Sequence, residues 1–577
     1  MIKLIKSLTG LIKSIANELI VIGVLLLTVQ LCIGETNEII KSDGVGYYEY
    51  LPSLFIHHDL YRQSTPISKQ KTNFYRTDQM EVYVDYNGYH INKYSAGTAV
   101  LQLPFFYATL TSLNGNKTLN GYEAPFHKAI HLATLFYLFI GLFFLKKLLQ
   151  LFDHSFLLIL FIQLIIVLGT PIIHYSNNEA AFSHIYSFFA VSAFLFYVKK
   201  HSLYLRQSDL IYSALLLGLI FILRQVNILI ILSIPLLFNT WKDFTRYLKS
   251  MLRQKKRLLV SVIFLLTPLS IQCILWHAQT GQYIVDSYQR EGFNFLKPEL
   301  LNILISYKKG LFIYTPVLIL SIISFVLLII KKKQLLAFSW FIFFSTTTYV
   351  LSSWYQWYFG CSYGQRAFID YYPVFALMIA LLFKFSNKKA SIMYVLLALI
   401  LIPINIIQTY QYKEYILHWI NMDKEKYWDV FLKTDKKYSG LVWKEIPDLE
   451  TVKTISETLK SKHTILPKQT DTLIIIPKLS KSINGILLSM ETTVKENEKA
   501  ICELIIETTS DSAKTVYYYS HPFIRYKTSA FNTYQKANYF YPNISLPKNH
   551  EYQLTYKFYD ATNFTKIDNI KFTFIEQ

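Results

Sequence analysis

Asp43 is the side chain best placed for acid–base chemistry, because it follows the first long apolar run by about nine residues. It lies in the sequence SDGVGYYEYLPSLF, where Gly44 and Gly46 indicate a flexible backbone beside the carboxylate. A carboxylate at a membrane surface can take a proton from a hydroxyl group. The alternative is an Asp-Gly turn with interfacial tyrosines. Asp59 occurs later in the same stretch, where an isolated aspartate is more often a cap or turn residue.

A second polar group occurs in HYSNNEAAFSHIYSF, between two apolar runs. Its ionisable members are His174, Glu179 and His184, and ionisable residues at a membrane boundary tend to line a water-filled cavity. An ordinary helix-capping loop is the alternative. Arg224, in the sequence LRQVN, could bind an anion or extend its side chain towards the headgroups.

A third group combines aromatic rings with an amide and a guanidinium, in SSWYQWYFGCSYGQRAFIDYYP. Trp357, Tyr363 and Gln365 suit a sugar ring. The planar guanidinium of Arg366 suits forked hydrogen bonds to a phosphate beside that sugar. The alternative is an aromatic belt at the membrane surface, with Arg366 paired to Asp370 one helical turn later.

The composition indicates that membrane-spanning helices carry these groups. Apolar residues make up 52% of the 577-residue chain and charged residues only 17%. The apolar residues fall in runs of about 17–22, and a helix needs about 20 residues to cross ~30 Å of hydrocarbon. The net charge of +20 comes from short Lys and Arg clusters between these runs, which indicates cytoplasmic loops and not a nucleic-acid surface. The four cysteines show neither metal-ligand spacing nor a disulfide framework.

The apolar runs predict about eleven membrane spans, with the N-terminus in the cytoplasm. No small-x-small cleavage motif follows the first run, so we expect a retained helix. Residues 35–125 are then a long first external loop. Within that loop, Gly97–Leu113 contains Pro104 and is expected to be a re-entrant or interfacial helix. The predicted spans are Leu19–Gly34, Phe126–Leu145, Phe156–Ile173, Ala181–Val198, Leu210–Leu223, Val226–Phe238, Leu258–Trp276, Leu311–Ile330, Leu335–Ser353, Phe368–Phe383 and Ile392–Thr409.

The predicted loops differ between the two sides of the membrane. The cytoplasmic loops are short and basic, whereas the external loops carry acids, amides, histidines and aromatics. We therefore expect any chemistry to take place outside. After residue 410 the pattern changes, and residues 411–440 are predicted to be a connector. Residues 441–577 contain β-branched, period-two segments and predict an all-β sandwich domain, which is extracytoplasmic because the last span runs outward.

This arrangement resembles the GT-C superfamily of polyprenyl-phosphate-sugar glycosyltransferases, which includes protein O-mannosyltransferases and aminoarabinose transferases. It is more closely similar to bacterial membrane proteins with an RgtA/B/C/D-like glycosyltransferase domain. The resemblance covers about residues 1–410 and depends mainly on the order and sidedness of its motifs. Those motifs are SDGVGYYEYLPSLF, NKYSAGTAVLQLPFF, NNEAAFSHIYSF, LRQVN, GLFIYTPVLIL and WYQWYFGCSYGQRAFIDYYPVF.

The resemblance implies a GT-C-like membrane domain whose donor is a sugar on a polyprenyl phosphate. By position, Asp43 would be the catalytic base, and Arg224 and Arg366 would hold the lipid phosphate. The family's paired acids are absent, since Gly44 follows Asp43 and the nearest acid is Glu49. The other candidate substrate-binding residues are Asp59, Glu179, His184, Trp357, Tyr363 and Gln365.

The expected reaction is inverting transfer of the sugar to a glycan, lipid or protein acceptor. The departing phosphate is already an anion, so one base and a few cations suffice, and neither a metal nor another cofactor is expected. Membrane lipids are expected partners and nucleic acids are not. Two other classes of protein stay open: a transporter, flippase or polymerase of lipid-linked glycans, and a non-enzymatic envelope anchor. Transporters usually show inverted repeats, which this sequence lacks.

Overall fold

The chain forms two compact units, Met1–Tyr410 and Gln411–Gln577. The computed structural model describes residues 2–34, 36, 38–60, 82–113, 119–288, 291–435 and 438–439, and the backbone of strands between residues 453 and 576. Side chains are described from residue 15 to residue 439 within these ranges, except that of Asp85. Parts of the predicted first external loop, residues 61–81 and 114–118, lie outside the described residues.

The first unit is helical, and its long helices follow the apolar runs of the sequence. The α-helices are α1 (Ile2–Thr28), α2 (Asp43–Tyr48), α3 (Tyr50–Phe55), α4 (Gly97–Ser112), α5 (Ala124–Gln150), α6 (Phe156–Leu168), α7 (Ile172–Asn177), α8 (His184–Tyr204), α9 (Gln207–Leu223), α10 (Trp241–Arg253), α11 (Lys255–Thr280), α12 (Leu300–Ile305), α13 (Leu311–Tyr314), α14 (Ile319–Ile330), α15 (Gln334–Ser352), α16 (Tyr372–Phe385) and α17 (Lys388–Lys413). A π-helical turn, Val29–Ile33, continues α1, and the described 3₁₀ helices are Gln225–Leu237, Pro316–Leu318 and Arg366–Tyr371.

Six helices among the described residues are long and apolar enough to cross a membrane. They are Ile15–Ile33, Ala124–Gln150, Lys255–Thr280, Gln334–Ser352, Arg366–Phe385 and Lys388–Lys413. The 3₁₀ helix Gln225–Leu237 and α10 together would make a seventh, although they are bent by 118°. The chain is therefore a polytopic helical protein of membrane-like composition. The count of about eleven spans stays a prediction, as does the side of the membrane on which each loop lies.

Helix α8 lies inside the helical unit and explains how the buried polar residues are held. It packs against α5, α9 and the 3₁₀ helix Arg366–Tyr371. Two thirds of its residues are buried, including His184 at its first turn and His201 near its last. A helix buried on several sides can carry polar groups, provided that its neighbours supply their hydrogen bonds.

Helix α4 corresponds to the segment predicted to be a re-entrant or interfacial helix. Pro104 lies inside it, as the sequence indicates. A Cβ added to Gly97 would lie 2.5 Å from Ile222 O, so α4 meets the end of α9 at a distance that only glycine permits. Its position relative to the membrane stays a prediction. Between α3 and α4, β1 (Tyr83–Tyr86) and β2 (Tyr89–Asn92) pair as an antiparallel hairpin.

The described part of the second unit contains one short helix and two antiparallel sheets. Helix α18 (Lys424–Val430) begins after Asp423, whose Oδ1 accepts a 2.9 Å hydrogen bond from Lys426 N. The strands are β3 (Lys453–Ser461), β4 (Asp471–Ile476), β5 (Ile483–Val494), β6 (Lys499–Thr508), β7 (Thr515–Ile524), β8 (Gln535–Leu546), β9 (Tyr552–Tyr559) and β10 (Phe564–Glu576). They form sheets of order β3-β10-β5-β8 and β4-β9-β6-β7. The stacking of these sheets as a sandwich stays a prediction.

Candidate active site

Asp43 and Arg366 form an ion pair. Arg366 Nη2 donates a hydrogen bond of 2.5 Å to Asp43 Oδ2, although the two residues are 323 positions apart in the chain. Asp43 is the first residue of α2, and Arg366 is the first residue of its 3₁₀ helix. The Asp43 side chain is 28% exposed and that of Arg366 only 9%. The carboxylate is therefore reachable by a ligand, whereas the guanidinium is almost enclosed.

The glycines beside Asp43 allow close packing and do not loosen the backbone, which corrects the interpretation from the sequence. A Cβ added to Gly44 would lie 2.8 Å from Ala181 Cβ, and one added to Gly46 would overlap the ring of Tyr94. Both glycines are buried within α2. Helix α2 can therefore press against these two neighbours only because both positions lack a side chain.

Asp43 stays ionised at neutral pH in this environment. Burial favours its protonated form, but the charges of Arg366 and Lys93 and the hydrogen bond from Arg366 outweigh that effect and hold the pKa of Asp43 below its ordinary value. Lys93 Nζ also lies 2.7 Å from Glu291 Oε1. The preceding residue, Ser42, has φ 51° and ψ −142°, a strained conformation for a residue with a Cβ. Strain of this kind clusters at functional sites.

Arg366 has donors that no described residue uses. Its Nε and Nη1 are buried and make no hydrogen bond within the described part of the chain. The ring centroid of Phe182 lies 5.1 Å from Arg366 Cζ, so an aromatic ring covers one side of the guanidinium. A buried unpaired donor typically costs about 1–3 kcal/mol. An anion with several oxygens, such as a phosphate, would supply the missing acceptors.

A second cluster is centred on the fully buried Asp370. Its Oδ1 lies 2.8 Å from His184 Nδ1, and its Oδ2 accepts hydrogen bonds from Arg224 Nη1 at 3.0 Å and from Asn227 Nδ2 at 2.9 Å. The alternative of an Arg366–Asp370 pair is therefore wrong. The backbone gives the reason, since residues four apart in a 3₁₀ helix, with 3.0 residues per turn, point about 120° away from each other and do not stack.

The two clusters belong to one polar region. Tyr47, in α2, interacts electrostatically with Arg224, Asp43 and Arg366, and burial raises its pKa. Arg224, predicted to hold a phosphate, is already neutralised by Asp370. Its side chain is still 14% exposed, with Cζ 5.8 Å from the ring of Phe359. A phosphate role for Arg224 stays a prediction, and its observed contact is structural.

Glu179 adds a second carboxylate near Arg366. It lies in the connection between α7 and α8, and its Oε2 is 3.4 Å from His174 Nε2. Burial opposes ionisation of Glu179, but His174, Lys41 and Arg366 outweigh it and lower the pKa of Glu179. The predicted polar group around Glu179 and His184 is thus brought beside Asp43 and Arg366 by the fold.

The third sequence group contributes mainly packing in this conformation. Tyr363 is fully buried, and its hydroxyl donates a 3.2 Å hydrogen bond to Asn405 Oδ1. Gln365 is also fully buried, and its Nε2 donates to Trp357 O at 3.1 Å. The ring of Trp357 is partly exposed and lies 6.0 Å from Lys308 Nζ. Substrate binding by these residues stays a prediction, and of the three aromatic and amide side chains only Trp357 is reachable without rearrangement.

Two other acids of the first loop, Glu49 and Asp59, lie in different environments. Glu49, the acid nearest to Asp43 in the sequence, is fully buried, accepts a hydrogen bond from Ser53 Oγ at 3.1 Å and is also hydrogen-bonded by the Tyr122 hydroxyl. It therefore ties the junction of α2 and α3 to the segment that precedes α5. Asp59 is partly exposed beyond α3, where its amide donates to Ser53 O at 2.9 Å. A substrate role for Asp59 stays a prediction.

Sequence reasoning missed Lys309, Lys93 and Asn227. Lys309 is buried, and burial lowers its pKa well below the ordinary value. Its Nζ donates to Tyr358 O at 3.0 Å, to Ser362 Oγ at 2.6 Å and to Gly360 O, which fixes the loop leading to Arg366. A lysine immediately before an apolar run was the available signal, but basic residues at that position usually mark topology.

No three His, Cys, Asp or Glu side chains among the described residues come together as a metal site, and independence from metals stays a prediction.

Comparison of the sequence with protein-family models gives no match. Comparison with curated proteins gives no match either. The residues of the site itself must therefore carry the functional argument.

Proposed function

We propose that this protein is a membrane glycosyltransferase that moves a sugar from a polyprenyl-phosphate donor to an acceptor, with inversion at the anomeric carbon. In this proposal the helical unit has about eleven spans in a GT-C-like arrangement. The active site faces the extracytoplasmic side, and residues 441–577 form a β-sandwich on that same side. The acceptor is a glycan, a lipid or a protein.

The observation that carries the proposal is the pairing of Arg366 with Asp43, which leaves Arg366 Nε and Nη1 without acceptors among the described residues. A guanidinium that is buried and only partly used is poised to bind an oxyanion. In this reaction the departing lipid phosphate accepts those hydrogen bonds. Charge that develops on the leaving oxygen is then stabilised by a donor that is already in place.

Asp43 is the proposed general base. Its carboxylate is partly exposed beside Arg366, so an acceptor hydroxyl can approach it while the donor phosphate occupies the arginine. In the unliganded protein the arginine makes Asp43 a weak base. A phosphate that shares Arg366 offsets this effect, because its negative charge raises the pKa of the carboxylate. The base would thus become effective only when the donor is bound.

The proposed reaction is a single displacement. The acceptor oxygen attacks the anomeric carbon and gives its proton to Asp43, while the bond from that carbon to the phosphate oxygen breaks. The lipid phosphate leaves as an anion, so no general acid is needed. Attack from the face opposite to the phosphate gives inversion.

The test is incubation of purified full-length protein with radiolabelled polyprenyl-phosphate sugars, with transfer or hydrolysis as the readout. Arg366→Gln should raise the KM for the donor, and Arg366→Lys should restore only part of the binding because an ammonium cannot make forked bonds. Arg206→Gln is the matched control, since Arg206 is exposed beside α9. Absence of turnover with every donor would contradict the proposal and favour the transporter or anchor.

A further inference from the structure

Helix α10 lies at the opposite end of the helical unit from the candidate active site. Helix α8 joins the two places over roughly 26 Å, at about 1.5 Å per residue between His184 and His201. At its start His184 contacts Asp370, and near its end His201 Nδ1 lies 3.0 Å from Tyr247 OH in α10. Because α10 is bent by 118° from the preceding 3₁₀ helix, it runs across the end of the helices and does not continue one of them.

One face of α10 is apolar and packed. Tyr247 is buried, and its ring centroid is 5.1 Å from that of Phe238. The ring centroids of Phe244 and Phe238 are 5.4 Å apart, and those of Trp241 and Phe338, which lies in α15, are 5.7 Å apart. These contacts fix the rotation of α10 about its axis and so decide which residues face outward.

The other face of α10 is basic, and we call it the basic stripe: Lys242, Arg246, Lys249 and Arg253. All four side chains are exposed. Their spacing of four, three and four residues places them on one side of an α-helix. Asp243 is the one acid among residues 241–257, which include seven lysines and arginines. Asp243 Oδ1 lies 3.7 Å from Arg246 Nη1. Both side chains are largely exposed, so this carboxylate offsets little of the positive charge of the helix.

Grooves and apolar side chains adjoin the basic stripe. An open groove of ≈ 490 Å³ is lined by the whole stripe together with Thr245 and Ser250. Lys255, Lys256 and Arg257 border a neighbouring groove of ≈ 640 Å³ at the start of α11. Leu252 and Leu259 are 62% and 66% exposed in the same segment. The segment thus offers cations, hydroxyl donors and exposed apolar side chains together.

We propose that the basic stripe of α10 binds the phosphate headgroups of anionic phospholipids, on the membrane face opposite to the candidate active site. An amphipathic helix that crosses the end of a bundle lies at headgroup level, with cations turned towards the phosphates. The exposed leucines favour a lipid over a free anion, because they can contact acyl chains. The inference is independent of the proposed glycosyl transfer.

The test uses purified full-length protein in neutral mixed micelles containing either phosphatidylglycerol or phosphatidylcholine, with bound lipid measured by native mass spectrometry. The stripe variant is Lys242→Gln/Arg246→Gln/Lys249→Gln/Arg253→Gln. The control variant, Lys331→Gln/Lys332→Gln/Lys388→Gln/Lys389→Gln, removes the same number of exposed charges elsewhere. Each basic residue near an anionic surface raises the binding constant by a factor of about five. At low salt the affinity of the stripe variant for phosphatidylglycerol should therefore fall by roughly a hundredfold or more.

We expect phosphatidylglycerol to bind wild type and the control variant more tightly than phosphatidylcholine does, and the stripe variant to lose this preference. The charge-preserving variant Lys242→Arg/Lys249→Arg should keep the preference, which separates loss of charge from misfolding. Unchanged phosphatidylglycerol binding in the stripe variant would overturn the proposal, as would an equal loss in the control variant. Inorganic phosphate that competes fully at millimolar concentration would overturn the choice of a lipid.

Discussion

Arg366 Nη2 and Asp43 Oδ2 lie 2.5 Å apart, and they join the start of α2 to the start of the 3₁₀ helix Arg366–Tyr371. The pair is asymmetric, because Asp43 is partly exposed and Arg366 is nearly enclosed. A ligand that reaches the pair therefore meets the carboxylate first and competes with it for the guanidinium. Because of this competition, binding of the donor phosphate should change how readily Asp43 takes up a proton.

The competition predicts a pH dependence that differs between the free and the donor-bound enzyme. The pKa of Asp43 is lowered in the free protein, so kcat/KM should stay level down to about pH 4, near the ordinary aspartate value, and fall only below it. The acid limb of kcat should lie at higher pH, because bound phosphate shares Arg366. Steady-state rates from pH 3 to pH 8 would measure both limbs.

The lowered pKa of Asp43 also makes the stability of the folded protein depend on pH, and the direction of this dependence is fixed. A carboxyl whose pKa is lower in the folded state stabilises the fold above its unfolded pKa and loses that contribution as the pH falls through the folded value. The Asp43–Arg366 pair should therefore stabilise the folded protein at neutral pH and lose this contribution in acid.

Coincident acid limbs in the pH profiles of kcat and kcat/KM would argue against competition between Asp43 and the donor for Arg366.

Arg224→Gln should lower the free energy of unfolding substantially and should change the affinity for the donor only a little. It removes a cation from the fully buried Asp370, and breaking a buried ion pair costs about 3–5 kcal/mol. Thermal unfolding in detergent is the measurement, with Arg206→Gln as the exposed control. The double variant Arg224→Gln/Asp370→Asn should recover part of the loss. Wild-type stability together with weak donor binding would instead assign Arg224 to the phosphate.

Gly46→Ala should disturb α2, because its Cβ would overlap the ring of Tyr94. Overpacking of this kind typically costs about 1–3 kcal/mol, and a shift of α2 would also move Asp43. Gly292→Ala is the matched control, since nothing lies within 4 Å of a Cβ there. Unfolding temperature and turnover should both fall in the first variant and stay near wild type in the second. Equal behaviour of the two variants would show that the packing of α2 against Tyr94 is not tight.

Single-cysteine labelling of the intact membrane tests the predicted sidedness. A membrane-impermeant thiol reagent added from outside should reach cysteines placed at Tyr283 and at the C-terminus. It should not reach cysteines placed at Lys147, Lys249 or Lys332. Labelling of Lys249→Cys from outside would place α10 on the same side as the first loop and overturn the alternation of the spans.

The sequence allowed the long helices to be predicted because the length of an apolar run directly reports its compatibility with a bilayer. Six of the predicted spans coincide with helices that are long and apolar enough to cross a membrane alone, and the count of about eleven stays a prediction. Asp43 and Arg366 could also be selected, since acids and cations near apolar runs are rare enough to be informative. Their mutual contact could not be predicted, because it depends on how distant helices are rotated against each other.

Local rules failed where the backbone departed from the expected geometry. The pairing of Arg366 with Asp370 assumed an α-helical turn, whereas these residues lie in a 3₁₀ helix. The role of Gly44 and Gly46 was also misjudged, because a glycine that frees the backbone and a glycine that admits a neighbour look the same in one sequence. Only the positions of Ala181 and Tyr94 distinguish these two cases.

Asp43→Asn, assayed at saturating donor beside Asp59→Asn and Glu179→Gln, tests the proposed general base most directly. Asparagine keeps the shape of the side chain but cannot take the acceptor proton. Turnover should fall by about 10²–10⁴-fold, with the two comparison variants much less affected. The KM for the donor should not rise, because the variant no longer competes with the donor phosphate for Arg366. Near-normal turnover in Asp43→Asn, with collapse in either of the other variants, would contradict the assignment and move the base to that residue.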